Sequence, residues 1–142
     1  GRPLSHHPAD PGRGGPLTGA GFRFGSASAG AGGEAQELSR SYAVPGSGVP
    51  LFQAATANLN PWTEAKVNSK NPERGPLLIV DGEEDNTVPW ALANAAYKKQ
   101  KRNSGVTEIV KVAGRGHSLT IDHGWREVAD LALAFIQRFV KP

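Results

Sequence analysis

The stretch GPLLIVDGEEDNTVP, residues 75–89, decides the fold that this chain of 142 residues can adopt. It is a short apolar run, LLIV at 77–80, with Gly-Pro before it and a turn rich in acidic residues after it. Such a run is typical of a strand buried on both faces of a parallel sheet. In an open α/β sheet, ligands bind outside the carboxyl ends of the strands. The sequence therefore predicts functional side chains in residues 81–88.

The residues after this turn predict a second strand between two helices. Pro89 suits the first position of a helix that runs to about residue 103, and we expect its inward residues to be Leu92, Ala95 and Ala96, with Trp90 as a further candidate. The segment TEIVKV, 107–112, alternates as an edge or near-edge strand does. A last helix, at about 124–140, carries one apolar stripe: Val128, Leu131, Ala132, Phe135 and Phe139. The order of these elements along the chain, strand, helix, strand and helix, predicts an α/β fold with two parallel strands, a right-handed crossover and flanking helices.

The amino-terminal part differs in composition. Residues 1–33 hold ten of the 18 glycines and four of the 11 prolines, without a period of two or 3.6, so we predict an irregular or disordered segment. Residues 34–42 suit a short helix, and 49–59 are apolar enough to be buried without indicating a type. We therefore predict three parts: an irregular segment 1–33, a connection 34–74 and a folded part 75–142.

The net charge, the cysteine count and the lengths of the apolar runs argue against several classes of protein. The net charge of +3 is a mild excess of basic residues, and the basic cluster at 98–102 has no interleaved aromatic platform, which favours a solvated helix end over a nucleic-acid contact. The absence of cysteine excludes disulfides and thiolate metal sites. No apolar run approaches the length of a membrane helix, and no signal-peptide pattern is present. We predict a cytoplasmic protein without a nucleic-acid or membrane partner.

Asp85 is the first candidate for a catalytic acid, because the turn at 82–89 projects it from a strand end. The alternative is that Asp85 or Glu84 only caps the helix that follows, or is solvated. Asp81 competes for the acid's role because it follows the apolar run directly. Glu83 and Glu84 have the pattern of solvated turn residues.

His117 is the candidate base, in the second turn AGRGHS at 113–118. Glycines beside it allow close approach of the backbone, and histidine is the side chain whose unperturbed pKa lies nearest neutral pH. A lone histidine in a loop is often merely solvated, but its position one strand after an acidic turn favours a pair with Asp85. We expect His123 to be exposed or in a local hydrogen bond. His6 and His7 lack further ligands, so we predict no metal site.

No nucleophile matches this pair. An esterase elbow requires Gly-x-Ser-x-Gly between a strand and a helix. The segment at 26–30, SASAG, has serine in place of the first glycine, and PGSG at 45–48 fails as well. The expected triad is therefore incomplete, with an acid and a histidine only.

The two turns resemble the carboxyl-terminal part of an α/β-hydrolase. In that family the last two strands carry the acid, in a turn reading roughly Gly-x-x-Asp-x-x-Val-Pro, and then the histidine, in a Gly-His turn before the final helix. The first pattern is matched by Gly82, Asp85, Val88 and Pro89, and the second by Gly116-His117-Ser118. Acid and histidine also follow in the family's order. The resemblance covers residues 75–141, while 34–74 resemble the lid with its connection, and we interpret 1–33 as a divergent lid remnant.

The resemblance implies a partial α/β-hydrolase fold and hydrolysis of an ester or related acyl bond without a cofactor. Asp85 would hold the tautomer of His117, which would deprotonate a serine. Since no elbow is located, we expect the isolated chain to be inactive unless a separate amino-terminal half supplies the serine and completes a site for a small ester. The alternative is a non-catalytic interaction module derived from a hydrolase. The exposed sheet edge would allow self-association.

Overall fold

The computed structural model of the chain describes residues 21, 32–42, 49–64 and 67–140. Their elements are α1 (Gly32–Tyr42), α2 (Val49–Thr56), a 3-10 turn (Ala57–Leu59), β1 (Leu77–Gly82), α3 (Trp90–Gln100), β2 (Thr107–Val112) and α4 (Trp125–Gln137). Two compact units are present: α2 and the 3-10 turn belong to one, and α1 and residues 69–140 to the other. Most of the segment 1–33 lies outside the described residues, so the predicted domain limits stay a prediction.

A parallel sheet of two strands organises the larger unit. β1 pairs with β2 over six residues, from Leu77 opposite Thr107 to Gly82 opposite Val112. β1 extends two residues beyond the apolar run, because the pairing continues through Asp81 and Gly82. The coarse prediction of an α/β arrangement with two parallel strands is confirmed.

Helices cover both faces of this sheet. Since side chains alternate along a strand, one face belongs to a core cluster shared with α4: Val80, Val110, Val112, Leu119, Val128 and Leu131. Val112, Leu119 and Val128 are buried, and full burial of such an aliphatic side chain contributes roughly 1.5–3 kcal/mol. On the opposite face, the Lys111 ammonium lies 4.6 Å from the centroid of the Trp90 ring at the start of α3. The site at the strand ends therefore has a helix on either side.

α4 presents the apolar stripe that the sequence predicts. Val128 and Phe135 are buried, and Leu131 and Ala132 are half-buried. Phe139 lies beyond the last helical residue and is 40% exposed, with its ring centroid 5.1 Å from that of Phe135.

The predicted inward face of α3 is wrong: exposed residues of this helix include Leu92, Ala95 and Ala96. Ala93 is buried instead; Trp90, the further candidate of the prediction, is half-buried, and so is Tyr97 on the same side. The spacing of three and seven residues places these on one helical face, and two aromatic rings bury more area there than one leucine would. α3 begins one residue later than predicted, with Pro89 at its N-cap.

The helices before the sheet are short. α1 starts two residues ahead of the predicted helix, and it buries Ala35 and Leu38. The segment 49–59, whose type the sequence leaves open, forms α2 and the 3-10 turn. Among the described residues, no helix combines the length and the apolar character that crossing a membrane requires.

Candidate functional site

Asp85 occupies the turn that follows β1, and the backbone of that turn fixes its carboxylate. Its Oδ1 accepts hydrogen bonds from the N–H groups of Thr87 and Val88, both at 2.8 Å. These two N–H groups precede α3, which begins at Trp90, so the hydrogen bonds of Asp85 Oδ1 stabilise the turn and do not cap the helix. The acid is held by its own turn, with Oδ2 left for another donor.

The imidazole of His117 is the hydrogen-bond partner of Asp85 Oδ2. Its Nδ1 lies 2.8 Å from Asp85 Oδ2, so the structure brings the two predicted residues together at one end of the sheet. The Asp85 side chain is only 4% exposed, whereas that of His117 is 42% exposed. The carboxylate is therefore enclosed, and the imidazole reaches solvent.

This geometry sets the chemistry that the pair can perform. A carboxylate only accepts hydrogen bonds, so the ring donates from Nδ1 and the neutral tautomer carries its lone pair on Nε2. A histidine oriented in this way by an acid can take a proton from a hydroxyl at Nε2 and return it to a leaving group.

Three hydrogen bonds tie the first turn to the end of β2 and to the second turn, independently of the pair. The Glu83 N–H donates to Val112 O and the Glu84 N–H to Arg115 O, each at 2.9 Å. The Gly114 N–H donates to Glu83 Oε2 at 3.1 Å. Glu83 is exposed as predicted, but its carboxylate also holds the second turn, a role that its sequence pattern did not indicate. The relative position of the two turns is thus fixed by these hydrogen bonds as well as by the pair.

Gly82 permits this close approach. A Cβ on this residue would lie 2.4 Å from the carbonyl oxygens of both Arg115 and Gly116, nearer than non-bonded atoms come. The glycine that the sequence motif singles out is therefore required by contact with the backbone of the histidine turn.

Arg115 is an anchor of the histidine turn that the sequence analysis missed. Its side chain is 5% exposed, and it forms a bidentate pair with Asp122, including a hydrogen bond from Nε to Oδ2 at 3.0 Å. A further hydrogen bond runs from Nη1 to Gly124 O at 3.0 Å. An arginine between two glycines, with an aspartate seven residues later, was the available signal. The pair closes residues 115–122 into a fixed loop around His117.

The sequence predicts that His123 is exposed or in a local hydrogen bond. Its hydrogen bonds are instead with a residue distant in the sequence. It is exposed, but its backbone N–H donates to Glu34 Oε1 at 2.7 Å and its ring Nδ1 lies 2.9 Å from the same oxygen. Burial raises the pKa of Glu34, but the hydrogen bonds from His123 and the charges of His123 and Arg115 outweigh it, so the net pKa is lowered. The contact attaches α1 to the loop that follows the histidine turn.

We expect Glu34→Gln to reduce the free energy of unfolding by roughly 1 kcal/mol near neutral pH, as for one hydrogen bond to a charged group with partial exposure. Because the folded pKa of Glu34 lies below its unfolded value, the carboxylate stabilises the fold above the unfolded pKa, and this contribution is lost as the pH falls through the folded pKa. Urea unfolding of parent and variant at several pH values measures the difference.

Glu37→Gln is the matched control for Glu34→Gln, since Glu37 is exposed on the same helix. It should leave the unfolding midpoint unchanged. An unfolding difference between Glu34→Gln and the parent that stays constant down to acidic pH would contradict the assigned role of the Glu34 carboxylate.

Asp81, the competing acid, is not the hydrogen-bonded partner of the histidine; Asp85 is. Asp81 is 4% exposed. Burial raises its pKa and the neighbouring charge of Asp85 raises it further, against smaller opposite effects of His117 and Lys111. It is a buried third carboxyl beside the pair.

The remaining candidates lie outside the described residues: His6, His7 and the serines at 26, 28 and 47. Among the residues that are described, no group of three or more His, Asp or Glu side chains is arranged to hold a metal ion.

Comparison of the chain with profiles of known protein families, with curated proteins and with solved structures gave no match. The geometry of the site and the motif resemblance are therefore the basis on which a function is proposed.

Proposed function

We propose that this chain provides the acid and the histidine of an α/β-hydrolase-like site that cleaves an ester or related acyl bond. The observation that carries the proposal is the 2.8 Å contact between Asp85 Oδ2 and His117 Nδ1, with the carboxylate enclosed and the ring exposed. Such a pair activates a hydroxyl nucleophile and needs no cofactor.

The fixed surroundings of the pair support a catalytic role. Both oxygens of Asp85 are occupied, one by two backbone N–H groups and the other by the ring. A base held in one orientation loses little entropy when the substrate arrives, and this preorganisation is what proton transfer in a catalytic site requires. A solvated surface histidine would need neither the buried acid nor the ties between the turns.

The nucleophile is proposed to come from a segment that pairs with the free edge of β1. The N–H groups of Leu77 and Glu83 both donate to β2 or its flanking residues. By the alternation of a parallel strand, the N–H and C=O groups of Leu78 and Val80 point to the other edge. The described residues provide no third strand there. A strand added at this edge would bring a serine to the same end of the sheet as His117.

The test uses the chain coexpressed with an amino-terminal segment that carries Gly-x-Ser-x-Gly, sought in the DNA upstream of the codon for Gly1. We expect the complex to hydrolyse p-nitrophenyl butyrate. His117→Ala and Asp85→Asn should each reduce kcat on the order of 10⁴-fold, as loss of a triad histidine or acid does. Stopped assays at saturating ester measure kcat for each variant.

His123→Ala is the matched control, because it removes an exposed imidazole outside the pair and should retain kcat. The proposal fails if the His117→Ala complex is as active as its parent. Turnover by the purified chain alone, abolished in His117→Ala, would place the nucleophile within these 142 residues.

A further inference from the structure

Trp62 is the most exposed of the three tryptophans of the chain. Its side chain is 87% exposed, whereas Trp125 is 43% exposed and Trp90 is half-buried. A tryptophan packed in a folded protein buries roughly 150–250 Å², and Trp62 forgoes nearly all of this gain. Both faces of a large aromatic ring are therefore accessible to a ligand from solvent.

The turn at 60–63 fixes the backbone that carries Trp62. Asn60 and Pro61 occupy the first two positions of this turn, where β-turns favour these residue types. The Thr63 N–H donates to Asn60 O at 3.2 Å, and the Trp62 N–H donates to Asn60 Oδ1 at 3.0 Å. The Asn60 N–H donates to Ala57 O at 3.2 Å, which ties the turn to the 3-10 turn before it. A group held in this way loses little conformational entropy when it binds a ligand.

Trp62 borders a cavity of ≈ 380 Å³ in the smaller unit. This volume is at the lower end of the range for small-molecule sites, roughly 300–1,000 Å³. Apart from the indole and the methyl group of Ala57, the lining consists of amide, hydroxyl and carboxylate side chains from α2 and the residues after it: Gln53, Thr56, Asn60, Thr63 and Glu64.

The lining limits the chemistry of a ligand. It includes no lysine or arginine from the part of the chain that the structure describes, so a phosphate or carboxylate ligand would lack a counter-charge there. A wholly apolar ligand would take the amide and carboxylate groups out of water without giving them partners, which costs binding free energy. The ligand must therefore combine an apolar face for the indole with several uncharged hydrogen-bonding groups.

A sugar ring has this combination. The C–H groups of a pyranose give its faces an apolar surface that packs on an aromatic ring, while its hydroxyls project from the rim as donors and acceptors. The Gln53 amide both donates and accepts, the Glu64 carboxylate accepts, and the Asn60 amide nitrogen donates because Oδ1 already accepts from the Trp62 N–H.

We propose that the cavity beside Trp62 binds a hexopyranoside whose ring stacks on the indole. A β-glucoside is the best match, because all its ring substituents are equatorial and both of its ring faces present only C–H groups. The site belongs to the smaller unit, and it depends neither on the contact between Asp85 and His117 nor on the proposed hydrolysis.

The test is an NMR titration of the isotope-labelled full chain with methyl β-D-glucopyranoside, read at the indole N–H signals of the three tryptophans. We expect the Trp62 signal to shift and the signals of Trp90 and Trp125 to stay in place. The dissociation constant should be on the order of 1 mM, at the weak end of the affinity scale, because a single ring makes few contacts.

Substitutions of the lining are followed at the backbone amide signals of residues 53–64. Trp62→Ala should weaken binding at least about tenfold, because the stacking surface is lost. Gln53→Ala should weaken it about fivefold, the effect of one neutral hydrogen bond. Trp62→Phe keeps a smaller aromatic face and should bind with intermediate affinity. Since Trp62 is exposed, these variants should retain the parent's far-UV circular dichroism.

Leu59→Ala is the matched control for Trp62→Ala. Leu59 is 84% exposed in the same unit but does not line the cavity, so the variant should keep the parent's affinity. Equal loss of affinity in Leu59→Ala and Trp62→Ala, or unchanged affinity in Trp62→Ala, would overturn the proposal.

Two further probes distinguish a sugar site from its alternatives. Cyclohexanol has a six-membered ring with one hydroxyl and tests for a merely apolar cavity. Choline chloride tests for a cation over the indole. Both should bind at least about tenfold more weakly than the glucoside. Binding of either probe as tightly as the glucoside would refute the sugar site, and so would an unshifted Trp62 signal at roughly fifty times the expected dissociation constant.

Discussion

Gly82→Ala should destabilise the chain by about 3 kcal/mol, at the upper end of the usual cost of overpacking. The added Cβ would lie 2.4 Å from two backbone carbonyl oxygens, those of Arg115 and Gly116. Backbone atoms cannot rotate away as a side chain can, so β1 or the histidine turn must move. The midpoint of urea unfolding should fall accordingly.

Gly75→Ala is the matched control, since no atom lies within 4 Å of the Cβ it would add. It should be neutral or slightly stabilising, because alanine restricts the unfolded chain. Equal unfolding midpoints for the two variants would show that the approach of the turns at Gly82 is not as close as described.

Arg115→Ala should cost about 3–5 kcal/mol, the range found when one partner of a buried ion pair is removed. Asp122 is 8% exposed, and without the guanidinium its carboxylate would be left buried and unpaired. The hydrogen bond to Gly124 O would be lost as well. Urea unfolding of the parent and the variant measures the loss.

The double variant Arg115→Ala/Asp122→Ala distinguishes the loss of the ion pair from the loss of the side-chain volume. Because removal of both charges leaves neither unpaired, the double variant should be more stable than the sum of the two single losses predicts. Glu127→Gln is the control, since this carboxylate is 62% exposed and its contribution should be less than about 1 kcal/mol. Additive losses would contradict a coupled, buried pair.

The parts that were predictable from sequence are those with a local signal. β2 has the predicted bounds, and the α4 stripe is confirmed at Val128 and Phe135, because period two and period 3.6 are both visible within a dozen residues. The meeting of Asp85 and His117 followed from two turns at the same end of a parallel sheet. Their catalytic roles stay a prediction.

The parts that were missed depend on contacts between distant residues. Glu34 and His123 are 89 residues apart, and no local pattern links them. The burial of Arg115 and Asp81 reflects how loops and strands close around them, whereas charged residues in turns are normally solvated. The face of α3 was largely mispredicted because the helix has apolar residues on two sides: Leu92, Ala95 and Ala96 are exposed, whereas the further candidate Trp90 is half-buried together with Tyr97.

The parallel pairing of β1 and β2 has a consequence for how the pair is assembled during folding. Asp85 and His117 are 32 residues apart, with the whole of α3 between them. Such pairings must overcome loop-closure entropy before any contact is gained, so they form slowly. A short peptide that contains only one of the two turns would therefore lack the contact between Asp85 and His117. In the full chain, this contact forms only once the β1–α3–β2 connection has folded.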